Sequence, residues 1–539
     1  MWLAPAFLLL LHTAAVAAPS PSVSTAAACK SSLHPKQCRA ILAPLRLSSN
    51  LYDYARFSVK QALKRARRTS KLLDHYLAGG GDRARRARGG ALEDCRRLND
   101  LNLDYLEAVE AELSLGESVL TLIGVNRVRA LMSALVTDQH TCLDGLEASG
   151  IFPELHGFFS NETRLCGISL ELVCDALDRT VVNRFQPDSL RGQNDASSPP
   201  YGLPAMGRNL MQWENGDVVP INQWVTVATD GSGNFSAIVD AVAFAPNYTS
   251  SAEYGYFAIY IGEGVYEENV EVGKEKTNLI LIGAGNNRTV ITGNRSFADG
   301  WSTFDSATFV VFGRRFIAMD ITFQNTAGPE KQQAVAVLNA ADLSSFYRCS
   351  FLGYQDTLCV HSFRQFYRDC DVYGTVDFIF GNAASVFQNC NLYARKPLPY
   401  QANAITAQGR SYPSEDSGIS IHNCTIRAAP DLEADLNSTK TFLGRPWKEY
   451  SRTVYIQSFI DHVIDPLGWM EWNGTFALST LYYGEFDNSG PGANTSGRVH
   501  WPGYHLMNAS DALKFTLYNF TTGDDWLSWT GIPYYEGLL

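Results

Sequence analysis

The chain has 539 residues, 45% of them hydrophobic and 18% charged. This is material for more than one buried core, so two domains are expected. The net charge of −11 is unevenly spread: residues 29–185 carry 22 Lys/Arg against 19 Asp/Glu, the remainder 22 against 36. An acidic second part argues against nucleic acid as a partner. It also predicts loose retention by acidic polysaccharides, because like charges repel at low salt.

Phe7 to Leu11 open an apolar stretch that closes in Ala15-Val16-Ala17-Ala18. It is too short to cross a membrane and ends in small residues, so residues 1–18 read as a signal peptide. A buried N-terminal helix is the alternative. No later stretch suggests a membrane span, and a released monomer is expected. Eleven Asn-x-Ser/Thr tripeptides, at Asn161, Asn234, Asn247, Asn287, Asn294, Asn423, Asn437, Asn473, Asn494, Asn508 and Asn519, fit secretion. Eleven cysteines leave at least one thiol unpaired or paired between chains. None forms the paired C-x-x-C pattern of a zinc site, and neither a metal nor another cofactor is expected.

Residues 26–185 read as an all-α bundle. Leu98, Leu101, Tyr105, Val109 and Leu113 recur every three or four residues, as do Val128, Leu131 and Leu135, and Leu170, Val173, Leu177 and Val181. Cys29 and Cys38 could staple an N-terminal hairpin; Cys95 and Cys142 could join two helices. Between 186 and 222 the composition shifts to Gln, Asn, Ser, Pro and Gly, the signature of a linker.

From 223 to 539 short segments rich in β-branched residues alternate with glycines, as in Phe257–Ile261 and Leu279–Ile282. A repeat then appears: Phe346-Tyr-Arg-Cys349, Phe366-Tyr-Arg-Asp-Cys370, Phe387-Gln-Asn-Cys390 and Ile421-His-Asn-Cys424, with cysteines 21, 20 and 34 residues apart. A period near 20 residues built from short strands predicts a right-handed parallel β-helix.

That period brings two carboxylates together. Asp356, in Gly353-Tyr-Gln-Asp-Thr, and Asp377, in Gly374-Thr-Val-Asp-Phe, are 21 residues apart, one turn of the helix. Neighbouring strands lie about 4.8 Å apart, where two acids cannot both ionise easily and one becomes a proton donor. Turn-capping aspartates are the alternative. Gln355 adjoins Asp356, and Gln333 precedes it by 22 residues. Their amides could donate hydrogen bonds to a developing oxyanion.

Gly264-x-Tyr266-x-Glu268, Gln332-Gln333-Ala-Val-Ala, Gly353-Tyr-Gln-Asp-Thr, Val376-Asp-Phe-Ile-Phe-Gly-Asn382 and Leu443-Gly-Arg-Pro-Trp447 resemble, in order, the motifs of plant pectin methylesterases. Residues 26–185 are similar to the invertase/pectin methylesterase inhibitor-type domain that precedes many of these enzymes, chiefly in four cysteines and Thr137–Asp144. The resemblance implies hydrolysis of methyl esters in homogalacturonan, with Asp377 as nucleophile, Asp356 as general acid then base, and Gln355 with Gln333 on the oxyanion. It implies that Arg445 holds Asp377 ionised with a depressed pKa, and that Trp447 and Thr303 contact sugar. Cys370 and Cys390 match a disulfide of relatives, although stacked cysteines can equally be reduced and simply packed. The helical part would be a pro-region that masks the site or assists folding until a protease removes it. The nearest equivalent of the family's dibasic-Leu-Leu cut site is Arg208-Asn-Leu-Met211, one basic residue short. Proteinaceous inhibitors are expected partners besides pectin. Cys359 and Arg314-Arg315 depart from the family pattern.

A glycosidic-bond hydrolase on the same fold would also use two carboxylates but has no need of the glutamine pair. A lyase wants a basic residue, usually with calcium. A binding protein on a decayed β-helix would not be expected to keep Asp356, Asp377, Gln333, Gln355 and Arg445 all together.

Overall fold

The computed structural model describes residues 21–45, 49–78, 90–150, 153–184, 209–212, 218–249 and 255–539. The expected signal peptide and most of the 186–222 stretch, including Arg208, lie outside the described residues. Asn209–Gln212 is a strand antiparallel to Val218–Val227.

Two short helices, α1 (Thr25–Ala28) and α2 (Pro35–Leu42), precede four long ones: α3 (Leu51–Ala78), α4 (Ala91–Ser114), α5 (Leu122–Ser149) and α6 (Pro153–Arg184). Packing of α3 on α4, α4 on α5, α5 on α6 and α6 back on α3 closes a four-helix bundle. The periodic residues explain it: Val109 and Leu113 of α4 share a buried cluster with Val128, Leu131 and Leu135 of α5, and Leu98 and Leu101 share another with Cys142 and Leu146. Local signals set the ends of α5. The Thr121 hydroxyl accepts the Gly124 N–H at 3.1 Å, and Gly150 leaves the helix at φ 61°, a conformation glycine adopts without Cβ strain. Disulfides join Cys29 to Cys38 and Cys95 to Cys142.

The second part is a right-handed parallel β-helix. Among the described residues its strands stack into three sheets of twelve, eight and seven, most strands pairing with the one three further along the chain, with closer neighbours only at the two ends of the twelve-stranded sheet. The repeat read from the sequence is one column of this stack, with a one-residue refinement. Phe346 pairs with Tyr367, not Phe366, then with Phe387 and Ile421. Phe366 points the other way and packs with Trp526 and Leu527 of the C-terminal helices. Period-two alternation makes that reversal obligatory.

The polar residue before each cysteine turns the chain. Arg348, Asp369, Asn389 and Asn423 have φ between 51° and 56°, a left-handed region that Asn and Asp tolerate better than most residues. Adjacent turns are tied sideways: Arg348 donates two hydrogen bonds to Asp320 at 2.8 and 2.7 Å, and Asn389 Nδ2 donates to Asp369 at 2.6 Å.

Inside, aromatic rings stack along the axis. Phe346 lies parallel to Tyr367 at 5.3 Å, and Tyr367 to Phe387 at 4.4 Å, all fully buried. Tyr367 contributes to both contacts, and its hydroxyl donates to Gln365 at 2.8 Å. Tyr367→Ala is expected to destabilise the β-helix by about 3–5 kcal/mol, read as a lower urea midpoint. A change under about 1 kcal/mol would contradict this packing account.

Cys370 and Cys390 are not bridged; both are free thiols, in a column with Cys349 and Cys424. Each sulfur also meets main chain: Cys370 Sγ donates to Phe346 O at 3.4 Å, Cys390 Sγ to Tyr367 O at 3.5 Å. Free buried cysteine packs as a small apolar side chain.

Candidate active site

Asp356 and Asp377 occupy left-handed turns, φ 62° and 53°, just before the neighbouring strands Leu358–Val360 and Ile379–Gly381. The Asp356 N–H donates to Val376 O at 3.0 Å, so the turns stack one repeat apart. The side chains therefore project together from the edge of the seven-stranded sheet, buried to 8% and 6% exposure. A non-glycine residue in this backbone region is uncommon and concentrates at functional sites.

Arg445 arrives from the strand Thr441–Pro446, in register with Ala407, Phe380 and Cys359 across the sheet. Its guanidinium donates two hydrogen bonds, both 2.7 Å, to the two oxygens of Asp377. That fork fixes the orientation of the carboxylate. Trp472 lies under the same guanidinium, 4.4 Å from ring centre to Cζ. Trp472 falls outside the motifs read in the sequence, and only the fold reveals it.

The expectation of a depressed Asp377 pKa is corrected, although Arg445 does act to lower it. Burial raises it, and the two Arg445 hydrogen bonds oppose that rise without reversing it. Asp356 is raised well above the ordinary carboxyl value by burial and by the neighbouring Asp377, with weaker relief from Arg445. The ordering survives: Asp377 loses its proton first and Asp356 keeps its own.

Gln333 and Gln355 lie one turn apart, the Ala334 N–H donating to Gln355 O at 3.2 Å. Both face one cavity of about 590 Å³ with the two aspartates, Thr303 and Trp447. Gln333 Oε1 is buried without a hydrogen-bond partner among the described residues. Trp447 is half-buried and edge-on to Phe380 at 6.0 Å, not a core tryptophan. Gly409 allows its position: a Cβ there would stand 2.8 Å from the indole.

The cavity has a floor and a roof. Leu338, Cys359, Phe380 and Ala407 form an apolar row on the outer face of the sheet, continuous with Leu98, Cys142 and Leu146 of the bundle. Polar contacts cross the same boundary. Thr137 Oγ1 accepts from Asn382 at 2.9 Å, Thr141 Oγ1 meets His361 Nε2 at 2.9 Å, and Lys448 donates to Asp144 at 2.6 Å. Ser302 donates to Asp94 at 2.6 Å, and Arg129 pairs with Asp416 at 3.2 Å. α5 thus meets the β-helix from Arg129 onward, with Thr137, His140, Thr141 and Asp144 lying over the cavity.

An arginine-held carboxylate beside a raised-pKa carboxyl, in a cleft on a parallel β-helix, places an ionisable carboxylate and a potential proton donor side by side. Residues 224–524 match the pectinesterase family, and residues 24–172 match the plant invertase/pectin methylesterase inhibitor family. "Probable pectinesterase/pectinesterase inhibitor 25" of Arabidopsis thaliana is 51% identical over 544 residues, spanning 96% of this chain and 87% of the relative. "Probable pectinesterase/pectinesterase inhibitor 47" of the same plant is 51% identical over 538 residues, spanning 95% and 86%. A solved pectin methylesterase from carrot is 50% identical with a TM-score of 0.57, spanning 58% of this chain and 98% of that one. The chain belongs to the pectinesterase family, as a carboxylic ester hydrolase preceded by an inhibitor-type domain.

Proposed function

We propose that this protein hydrolyses the methyl esters of homogalacturonan through a covalent intermediate on Asp377. The observation that carries this reading is the Arg445 fork on Asp377 beside the high-pKa carboxyl of Asp356. An Asp377 oxygen attacks the ester carbonyl, and the carbonyl oxygen becomes an oxyanion held by the Gln333 and Gln355 amides. The carbon–methoxy bond breaks as Asp356 gives its proton to the departing oxygen, releasing methanol. This leaves an acyl anhydride between Asp377 and the sugar carboxyl. Asp356, now a carboxylate, takes a proton from water, the hydroxide adds to the sugar acyl carbon, and Asp377 leaves as carboxylate. Trp447 and Thr303 hold the sugar over the reacting ester. Hydroxylamine present during turnover is expected to divert the anhydride to a galacturonyl hydroxamate. Methanol release with no hydroxamate at any hydroxylamine concentration would argue for direct attack by water.

The site works with Asp377 ionised and Asp356 protonated, so rate against pH is bell-shaped. Arg445→Gln removes the groups that oppose the burial-driven rise on Asp377, so its acidic limb moves to higher pH. An unmoved acidic limb would remove Arg445 from this role.

The same reading makes the helical domain an autoinhibitory pro-region, secreted with the enzyme to the cell wall and freed by proteolysis between the domains. Its roof position over the cavity supports steric exclusion of a polymer. Docking also buries acids. Asp94 is raised well above the carboxyl range by burial and by Asp305, Asp138 likewise by burial, and Asp144 by burial against the pull of Lys448. His361, facing Asp138 and Thr141, is lowered by burial from 6.5 to about 4; His140 is lowered to about 3 by burial and Lys448. Raised acids favour docking while protonated and lose that contribution as pH rises toward their docked pKa. Lowered histidines favour docking above 6.5 and lose it as pH falls below. Above pH 6.5 only the acids still act, so inhibition weakens as pH climbs. The activity of the intact chain relative to a chain beginning at Gln223 is expected to rise as pH climbs above 6.5. A ratio that stays constant or falls contradicts this linkage.

A further inference from the structure

The outer face of α3 carries a row of cations that neither the catalytic reading nor the inhibitory one uses. Lys60, Lys64, Arg67, Arg68 and Lys71 are all exposed. Their spacing along the helix puts them on one side, over about 16 Å of its length. With Leu63 and Glu110 they line a shallow groove of about 490 Å³ on the bundle. Two of the five are partly offset: Lys60 lies 3.5 Å from Glu110, and Arg67 lies 2.9 Å from Glu107. Both pairs are solvent-exposed, the kind that contributes little and exchanges readily for another anion. Lys64, Arg68 and Lys71 make no ion pair among the described residues. None of the five is among the residues that meet the β-helix, which include His34 before α2, Asp94 of α4, Thr137 of α5 and Gly167 of α6. The row therefore stays open while the bundle is docked.

We infer that this groove binds a linear polycarboxylate: de-esterified homogalacturonan, the product of the reaction proposed above. The choice of polymer rests on that reading. Three features favour it. Cations repeated along a line match a chain carrying one carboxylate on each sugar, and lysine heads on flexible stems can follow such a chain as point charges. The groove sits on the part of the protein with net positive charge, away from the acidic β-helix that repels the same polymer. An anionic membrane is the weaker match, because a helix lying on a membrane needs a free apolar face, and here Leu51, Ala55, Val59, Ala62, Ala66 and Leu73 are spent in the bundle core. Bound in this way, the intact protein would collect on stretches of pectin that are already demethylated.

The test is binding of the intact chain to polygalacturonate at 20 mM NaCl, with highly methylated pectin and phosphatidylserine vesicles alongside. Polygalacturonate is expected to bind, methylated pectin to bind weakly, and 0.5 M NaCl to release the complex, since the Debye length then falls to about 4 Å. The triple substitution Lys64→Gln, Arg68→Gln, Lys71→Gln should weaken binding about tenfold or more, and Glu110→Gln should tighten it. Methanol release, measured in parallel, should be unchanged in both variants. Equal affinity of the parent and the triple variant, with melting temperatures unchanged, overturns the proposal. Binding to vesicles but not to polygalacturonate overturns it in favour of a membrane. Absence of methanol release from a folded chain beginning at Gln223, with polygalacturonate binding by the intact chain retained, would instead count against the esterase reading alone.

Discussion

Asp377→Asn, made in a chain beginning at Gln223, is expected to lower methanol release about ten-thousandfold or more while the fold persists. The substitution keeps the shape and the left-handed turn, φ 53°, which Asn accepts as well as Asp. What disappears is the nucleophile, together with the charge that Arg445 grips at 2.7 Å. The freed guanidinium stays over Trp472, 4.4 Å from the ring centre, so the pocket is not expected to collapse. Asp356→Asn should cost less, about a hundredfold to ten-thousandfold, because it removes only proton transfer. The two losses should not add, since both groups serve one step. A folded Asp377→Asn protein within tenfold of the parent would show that another group is the nucleophile.

Gly167→Leu in the intact chain is expected to raise activity about fivefold or more. Gly167 lies on α6 at the boundary with the β-helix, and a Cβ at this position would stand 2.1 Å from the Tyr412 ring. Tyr412 cannot easily retreat. It is buried to 5% exposure, and the Glu415 carboxylate accepts the Ser411 and Tyr412 N–H groups at 2.9 and 2.7 Å. Overpacking of this kind costs about 1–3 kcal/mol, which multiplies the open population by about 5 to 150. Released methanol reads that population directly. Unchanged activity in a variant whose bundle remains folded would mean that the bundle does not gate the site.

Much of this arrangement could be read in the sequence because a β-helix converts spacing into adjacency. The 21-residue interval between Asp356 and Asp377 is one turn, and the turns do stack. The cysteine column was visible for the same reason, yet its redox state was not, since that depends on where each sulfur points. The Phe346 repeat was legible to within one residue: Asp369 matches Arg348 in the left-handed turn, so Tyr367 takes the Phe346 position and Phe366 falls opposite Ser345. Trp472 and the Asn382–Thr137 contact come from segments far apart in sequence, 245 residues for the latter, and carry no period. The pKa order of the two acids followed from proximity. The rise on Asp377 did not, because it depends on burial in the folded site, which no local pattern encodes.

The most direct test is methanol release from highly methylated pectin by the intact chain and by a chain beginning at Gln223, each with and without Asp377→Asn. The account predicts strong release from the short chain, little from the intact one, and none from either variant. Silence from a well-folded short chain, or undiminished release after Asp377→Asn, would contradict it.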